Sequence, residues 1–258
     1  MPIRALAAAT TPAAALLTAL SVSPAQAAAA PVITKVVVNE GKNIVVGPTA
    51  VTKYSAQITA KYSPGISEAT VHLWHGSGDY DTADGHLSFD APRCTTSGTT
   101  TTCTMNYQVK ADTRDMINVV SNAKAGTWHI SAWAYGKDRT QGGSYTFDTR
   151  NVQRASKLTV NAAPEPVKKG KTITVTGALT RANWNTRTWA GYSGQKVQLQ
   201  YRPKNSTTYT TLKTLTTPSN GKLSTTTKAS ADGYYRYIFA GTSTTPAAKA
   251  TGDYVNVT

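Results

Sequence analysis

Apolar and polar residues alternate with period two through almost the whole chain, and no segment carries an apolar stripe at helical spacing. A strand points successive side chains to opposite faces, so this pattern commits the chain to half-buried strands packed in layers. The segments KVVVN, SAQITAKY, ATVHLWH, TCTMNYQVKA, GTWHISAWAY and GSYTFDT fit it, separated by Gly, Pro, Asp and Ser turns. After Arg154 the pattern restarts. SKLTVN (156–161) echoes TKVVVN (34–39), and KGKTITVTG (169–177) echoes EGKNIVVG (40–47). GQKVQLQYRPK, YTTLKTL, GKLSTTTKAS, GYYRYIFAG and GDYVNV follow. Two units of roughly seven short strands each predict an all-β protein of two tandem immunoglobulin-like antiparallel β-sandwiches. Their expected bounds are residues 28–152 and 153–258, with NVQRAS (151–156) as a short linker.

Residues 1–27 read as a leader. Arg4 precedes the apolar run AAALLTALSV (13–22), then Pro24 and the small-residue site Ala25-Gln26-Ala27. The run is far short of the roughly 20 residues a membrane helix needs, and nothing later approaches that length. The expected address is therefore extracellular, with cell-wall association a further option. The only cysteines, Cys94 and Cys103, bracket a Ser/Thr/Gly turn. In an exported chain such a pair predicts a disulfide stapling a hairpin. Closing so short a loop contributes roughly 2–3 kcal/mol in the chain-entropy account.

Charge is unevenly placed. Residues 28–154 hold 12 Lys+Arg against 10 Asp+Glu, whereas residues 155–258 hold 14 against 3. The basic excess belongs to the second unit, which predicts contact with anionic polymers of the cell envelope. Specific nucleic-acid binding is not expected outside the cell.

In the second unit an Asp-Gly turn precedes Tyr235 at the head of an alternating strand, the pattern of a tyrosine corner on strand F. Trp128 occupies the same place in the first unit. The second unit, from SKLTVNAAPEPVKKGKTITVTGALTRANW through YSGQKVQLQYRPK to DGYYRYIFAGTSTTPAAKATGDYVNV, resembles a domain of secreted actinobacterial proteins with immunoglobulin-like folds. The first resembles the domain that often precedes it, so the resemblance covers nearly all of the mature chain. It implies fold and export, and it carries no catalytic residue across.

Three aspartates, Asp79, Asp81 and Asp84, crowd the loop HGSGDYDTADGH (75–86). An EF-hand-type loop needs oxygens at positions 1, 3 and 5, glycine at 6 and a carboxylate at 12. Counting from Asp79, position 5 is Ala83, Asp84 falls at 6, Gly85 at 7 and Asp90 at 12, one residue out of register. Two readings stay open: an irregular Ca²⁺ site on Asp79, Asp81, Asp84 and Asp90, or a turn built from ordinary turn residues. No other cofactor is expected.

Alternation also sorts the faces. In the second unit Val197, Leu199, Tyr201, Tyr235, Tyr237 and Phe239 face inward, leaving Lys196, Gln198, Gln200, Arg202, Tyr234 and Arg236 outside. The same register in the first unit sends Val71, Leu73, His75, Trp128, Ile130 and Ala132 inward. His72, Trp74, His129, Trp133 and Tyr135 then point outward from neighbouring strands. Burying one Trp is worth at most about 5 kcal/mol, so rings placed outside imply a cover: a ligand, the second domain or a loop. Flat rings beside imidazoles suit stacking on sugars or peptides, and these five residues are the candidate ligand site. The segment ANWNTRTWAGYSG (182–194) carries Trp184, Trp189 and Tyr192 beside Arg181 and Arg187. It reads either as a second sugar- or polyanion-binding edge or as a loop folding its rings over the sandwich end.

Catalytic signatures are absent from the sequence: there is no H-E-x-x-H, no G-x-S-x-G and no phosphate-cradling glycine loop. Glutamate is limited to Glu40, Glu68 and Glu165, which leaves little for paired-carboxylate chemistry. The expected function is a secreted, non-catalytic binding or adhesion protein recognising carbohydrate or cell-envelope polymer. A structural or scaffolding protein is the alternative. A metal-dependent hydrolase using His72, His75, His86 and His129 with the aspartates is a third reading.

Overall fold

The computed structural model describes residues 29–114 and 117–258. The leader expected over residues 1–27 lies outside them. The first ten strands are β1 (Val32–Val38), β2 (Ile44–Val46), β3 (Thr52–Lys61), β4 (Ile66–His75), β5 (Gly85–Leu87), β6 (Arg93–Ser97), β7 (Thr100–Ala111), β8 (Val119–Val120), β9 (Gly126–Gly136) and β10 (Gln141–Arg154). They form two sheets in the orders β1-β3-β7-β6 and β2-β10-β9-β4-β5, with β8 beside β7. Every pairing is antiparallel except β2 with β10 and β7 with β8. That is the ABED and CFG arrangement of an immunoglobulin-like sandwich, with β4, β9 and β10 as strands C, F and G.

The second ten are β11 (Ser156–Leu158), β12 (Asn161–Ala163), β13 (Thr172–Asn183), β14 (Thr188–Gly191), β15 (Lys196–Pro203), β16 (Thr210–Thr216), β17 (Lys222–Lys228), β18 (Gly233–Phe239), β19 (Ala248–Lys249) and β20 (Asp253–Val255). β13 is flanked by β11, β12, β14 and β17, and faces a sheet of β16-β15-β18 with β19 and β20 on the far side of β18. This repeats the immunoglobulin-like order without a strand D. The chain is therefore all-β, two such sandwiches in tandem.

The alternation holds where the cores form. Val71, Leu73, Trp128, Ile130 and Ala132 are buried in one apolar cluster, and Val197, Leu199, Tyr235, Tyr237 and Phe239 in another. Cys94 and Cys103 sit directly opposite each other on β6 and β7 and are joined, closing the hairpin as expected. The corner is made differently in the two sandwiches. The Trp128 indole N–H donates to Lys124 O at 2.8 Å, four residues upstream, so Trp128 does serve as the corner of the first. In the second, the hydroxyl that reaches the Asp-Gly turn is that of Tyr201, bonded to Ala231 O at 3.0 Å, in place of the expected Tyr235.

The expected linker is shorter than its sequence suggests. Residues 151–154 complete β10, and only Ala155 separates it from β11. Ala155 is itself tied, its N–H to Val46 O (2.9 Å) and its carbonyl to the Ala182 N–H (2.7 Å). The hairpin of β13 and β14 reaches past this point and buries Trp184 completely in the apolar cluster of the first sandwich. The indole N–H donates to Val46 O at 3.0 Å, and Asn122 grips the hairpin tip through Asn183 Oδ1, the Trp184 N–H and Asn185 Oδ1, each at 2.8 Å. Arg154 adds a bond from Nε to Ala182 O at 2.6 Å. Burial, then the neighbouring Arg181 guanidinium, pulls Arg154 down to about 10, still protonated at neutral pH. Of the rest of that loop, Tyr192 is buried in its own sandwich beneath Arg181, and Trp189 is 37% exposed under Lys157 Nζ. The rings of residues 182–194 thus do cover a sandwich end, and the one Trp184 closes is its neighbour's.

Removing a fully buried Trp costs about 3–5 kcal/mol. Trp184→Ala should therefore lower the melting temperature of the first sandwich and leave the second, to whose core Trp184 does not belong, near its own. Calorimetry should show one transition splitting into two; an unchanged endotherm would place the indole outside the first sandwich's stability.

Candidate functional site

Strand register brings the five candidate residues to one face. Trp74 stands opposite His129, His72 opposite Ser131 and Thr70 opposite Trp133, all on the side of β4 and β9 away from the core. The Trp74 and His129 rings stack at 4.1 Å with planes 23° apart. Tyr135 lies at the far end of β9, 36% exposed. The expectation of an outward aromatic face holds, but that of open rings does not. Trp74 is only 1% exposed, although it belongs to neither core cluster.

Its cover comes from two places that single-strand alternation does not reveal. β10 pairs with β9 through Ser144↔Ala132 and resumes at Asp148↔Ile130, so residues 145–147 bulge opposite a single residue. The bulge folds over the face, and Tyr145 O accepts the Trp74 indole N–H at 2.7 Å. Just before it, Gly143 lets the strands close up. A Cβ there would stand 2.2 Å from Ala132 O and 2.8 Å from the Trp133 ring. The second cover is Tyr80, from the aspartate loop. Its ring meets those of His72, Trp74, His86 and Tyr145 at 6.2, 6.4, 4.9 and 5.0 Å.

That contact explains the carboxylates. Asp79 Oδ1 accepts from the Thr82 N–H (3.0 Å) and hydroxyl (2.8 Å), a turn that holds the Asp79 carboxyl below the usual carboxylate range. Asp84 Oδ1 lies 2.6 Å from His75 Nδ1, pinning the loop's end to β4. Asp81 is exposed, and Asp90 sits apart, its N–H bonded to Asn106 O beside the Phe89↔Tyr107 bridge. Among the described residues no three His, Cys, Asp or Glu side chains converge on a point where a metal could sit. Neither the four aspartates of the Ca²⁺ reading nor the histidines and aspartates of the hydrolase reading are gathered into such a group as placed in this fold.

What stays open is the rim. Tyr145 (50% exposed) tilts against the Trp133 ring at 5.0 Å, while Tyr135 on β9 and Phe147 on β10 are exposed rings of the same strands. The Trp133 indole N–H is shut from water and has no partner, a buried donor left unpaired at the floor of this shelf. His72 is the titratable group facing the cluster's interior. Burial, then the neighbouring His86, holds it below the ordinary histidine value. A cleft of about 360 Å³ lies elsewhere, beside β7, with Asp90 and Lys110 as its charged lining and no histidine.

No protein-family model matches the sequence, and no curated protein matches it. Among solved structures the chain is similar to the D0-D1 domain of Intimin (14% identity, TM-score 0.28, covering 87% of this chain and 98% of that one). It is also similar to the full ectodomain of mouse nectin-like molecule 4 (13%, 0.27), covering 88% of this chain and 65% of that one. A third is a putative membrane anchored protein from Corynebacterium diphtheriae (14%, 0.29, covering 88% and 53%). The chain thus spans a little under two thirds of the nectin-like ectodomain and about half of the Corynebacterium protein. At these scores the immunoglobulin-like architecture is carried by the strand order above. Among the described residues no helix is long and apolar enough to cross a membrane.

Because His72 is neutral in the fold at a pH where the unfolded chain binds a proton, stability should fall as pH drops through the ordinary histidine range toward the lower folded value. Melting at pH 7.5 and 5.5 should show the lower temperature at 5.5, with His72→Gln reducing the difference; an undiminished difference in the variant would assign the pH effect to other groups. Millimolar Ca²⁺ should leave the melting temperature where equimolar Mg²⁺ leaves it. A Ca²⁺-specific rise would show that the aspartate loop closes on a cation after all.

Proposed function

We propose that this is a secreted, non-catalytic binding or adhesion protein whose first sandwich recognises carbohydrate of a cell envelope. One observation carries the reading: an aromatic cluster lies on the outer face of β4, β9 and β10, and Tyr135, Tyr145 and Phe147 on β9 and β10 stay exposed. Ring faces stack on the apolar C–H faces of sugars, and edge groups of the shelf supply hydrogen bonds. The 14-to-3 excess of cations over carboxylates in residues 155–258 would hold the second sandwich against anionic polymer of the same surface. The disulfide and the leader expected over residues 1–27 favour an extracellular address. A structural or scaffolding role without a small-ligand site is the second reading, and the seal over Trp74 favours it.

The rim decides between them. Tyr145→Ala with Phe147→Ala removes two exposed rings, so melting should change little while retention on isolated cell-wall glycan falls about tenfold, as loss of one or two stacking contacts implies. Retention on glycan should persist in 1 M NaCl, where charge-driven adhesion is screened. Unaltered retention in the double variant would leave the scaffolding reading.

A further inference from the structure

The same sheet of the second sandwich carries a different surface. On the outer side of β15, β18 and β20 and the loop after β15, three cations and three rings form one continuous row. Arg236 Cζ lies 3.5 Å over the Tyr209 ring, and Arg202 Cζ lies 5.3 Å from Tyr209 and 4.0 Å from Tyr234. Tyr234 tilts on Tyr254 at 5.1 Å, and Lys204 Nζ ends the row 5.6 Å from Tyr254. The register that aligns them is Gln200↔Arg236, Arg202↔Tyr234 and Tyr234↔Tyr254.

Surface arginines usually answer a carboxylate, and these do not. Asp232 is engaged at the lysine end, 3.7 Å from Lys204 Nζ and accepting the Tyr254 hydroxyl at 3.0 Å. Asp253 accepts the Ala162 N–H. Among the described residues no carboxylate pairs with Arg202 or Arg236. Arg236 instead donates Nε to Gln200 Oε1 (2.9 Å), and Arg202 donates Nη1 to Ser206 O (2.7 Å). Arg202, whose Nη1 also reaches Lys204 O at 3.4 Å, and Arg236 are thus held only by rings and neutral acceptors, which leaves further N–H groups of each fork to donate. Holding the fork in advance removes much of the side-chain entropy that binding an anion would otherwise cost.

We propose that this face is a binding site for an acidic polysaccharide, the two guanidiniums taking its carboxylates and the Tyr234 and Tyr254 rings lying along its sugars. The inference rests on the reading that the basic sandwich meets anionic envelope polymer, and gives that contact an address. Charge complementarity and the rings between the cations favour a sugar polymer over a bare polyphosphate.

The test uses the full mature chain with polygalacturonate as probe, dextran as the neutral control and inorganic polyphosphate as the sugar-free anion. Binding to polygalacturonate should weaken about tenfold or more in Arg202→Gln/Arg236→Gln, while Lys222→Gln/Lys228→Gln, the same charge loss from exposed positions on the opposite sheet, should weaken it only a few-fold. Arg202→Lys/Arg236→Lys keeps the charge but loses the planar fork, and should still weaken binding several-fold, which also guards against a misfolded glutamine variant. Equal losses in the two glutamine pairs would overturn the site while leaving diffuse charge attraction standing. Retention by polyphosphate alone would overturn the polysaccharide, and binding to no anionic polymer would remove the site and the broader reading together.

Discussion

A strand can hide only one of its faces inside a sandwich, so a large ring on the other face must find its cover elsewhere. Trp74 is such a ring, and much of the first sandwich's outer architecture follows from it. β10 abandons its register for residues 145–147 to lay a carbonyl on the indole N–H and a tyrosine beside it. In the loop after β4, Asp79 holds a turn and Asp84 lies within hydrogen-bond distance of His75, with Tyr80 between them set over the same indole. The seal is a second, smaller apolar layer outside the sheet, and Tyr145 at its edge stays half exposed.

The joint between the sandwiches obeys the same logic from the opposite direction. A sandwich end exposes the last inward-facing residues of its strands unless something closes it. Here Trp184 closes the first sandwich, and its indole N–H and the flanking Asn183 and Asn185 find partners at Val46 and Asn122. With a single residue between β10 and β11, itself hydrogen-bonded on both sides, the two units meet through a packed and bonded contact.

Period-two alternation made the fold class, both cores and the outward placement of His72, Trp74, His129, Trp133 and Tyr135 legible, because each depends on which way a residue points along its own strand, while the disulfide hairpin was legible from the spacing of the two cysteines around a turn. The cover was not legible. A bulge is a relation between two strands, and GSYTFDT alternates so regularly that nothing in it announces three residues opposite one. Tyr80 acts across a loop, at a distance that no local spacing encodes. Trp184 was visible as an aromatic turn, but its destination in another unit's core is a contact of long range. The Tyr201 corner was missed for a related reason: the Asp-Gly turn signals that a hydroxyl is needed and leaves open which neighbouring strand supplies it.

Setting the two outer faces side by side shows one fold meeting one problem in two ways. Both expose the C, F and G strands, and both place aromatic rings there. In the first sandwich the rings pack on each other and on histidines. In the second they lie against guanidiniums that bond only neutral acceptors. Tyr234 and Trp133 both lie on the outer side of a strand F, yet one sits under a cation and the other under a tyrosine. The difference lies in neighbouring strands: Arg202 on strand C of the second unit, and the bulged strand G of the first. The neighbours that a ring meets on adjoining strands thus give two like sandwiches chemically distinct outer faces.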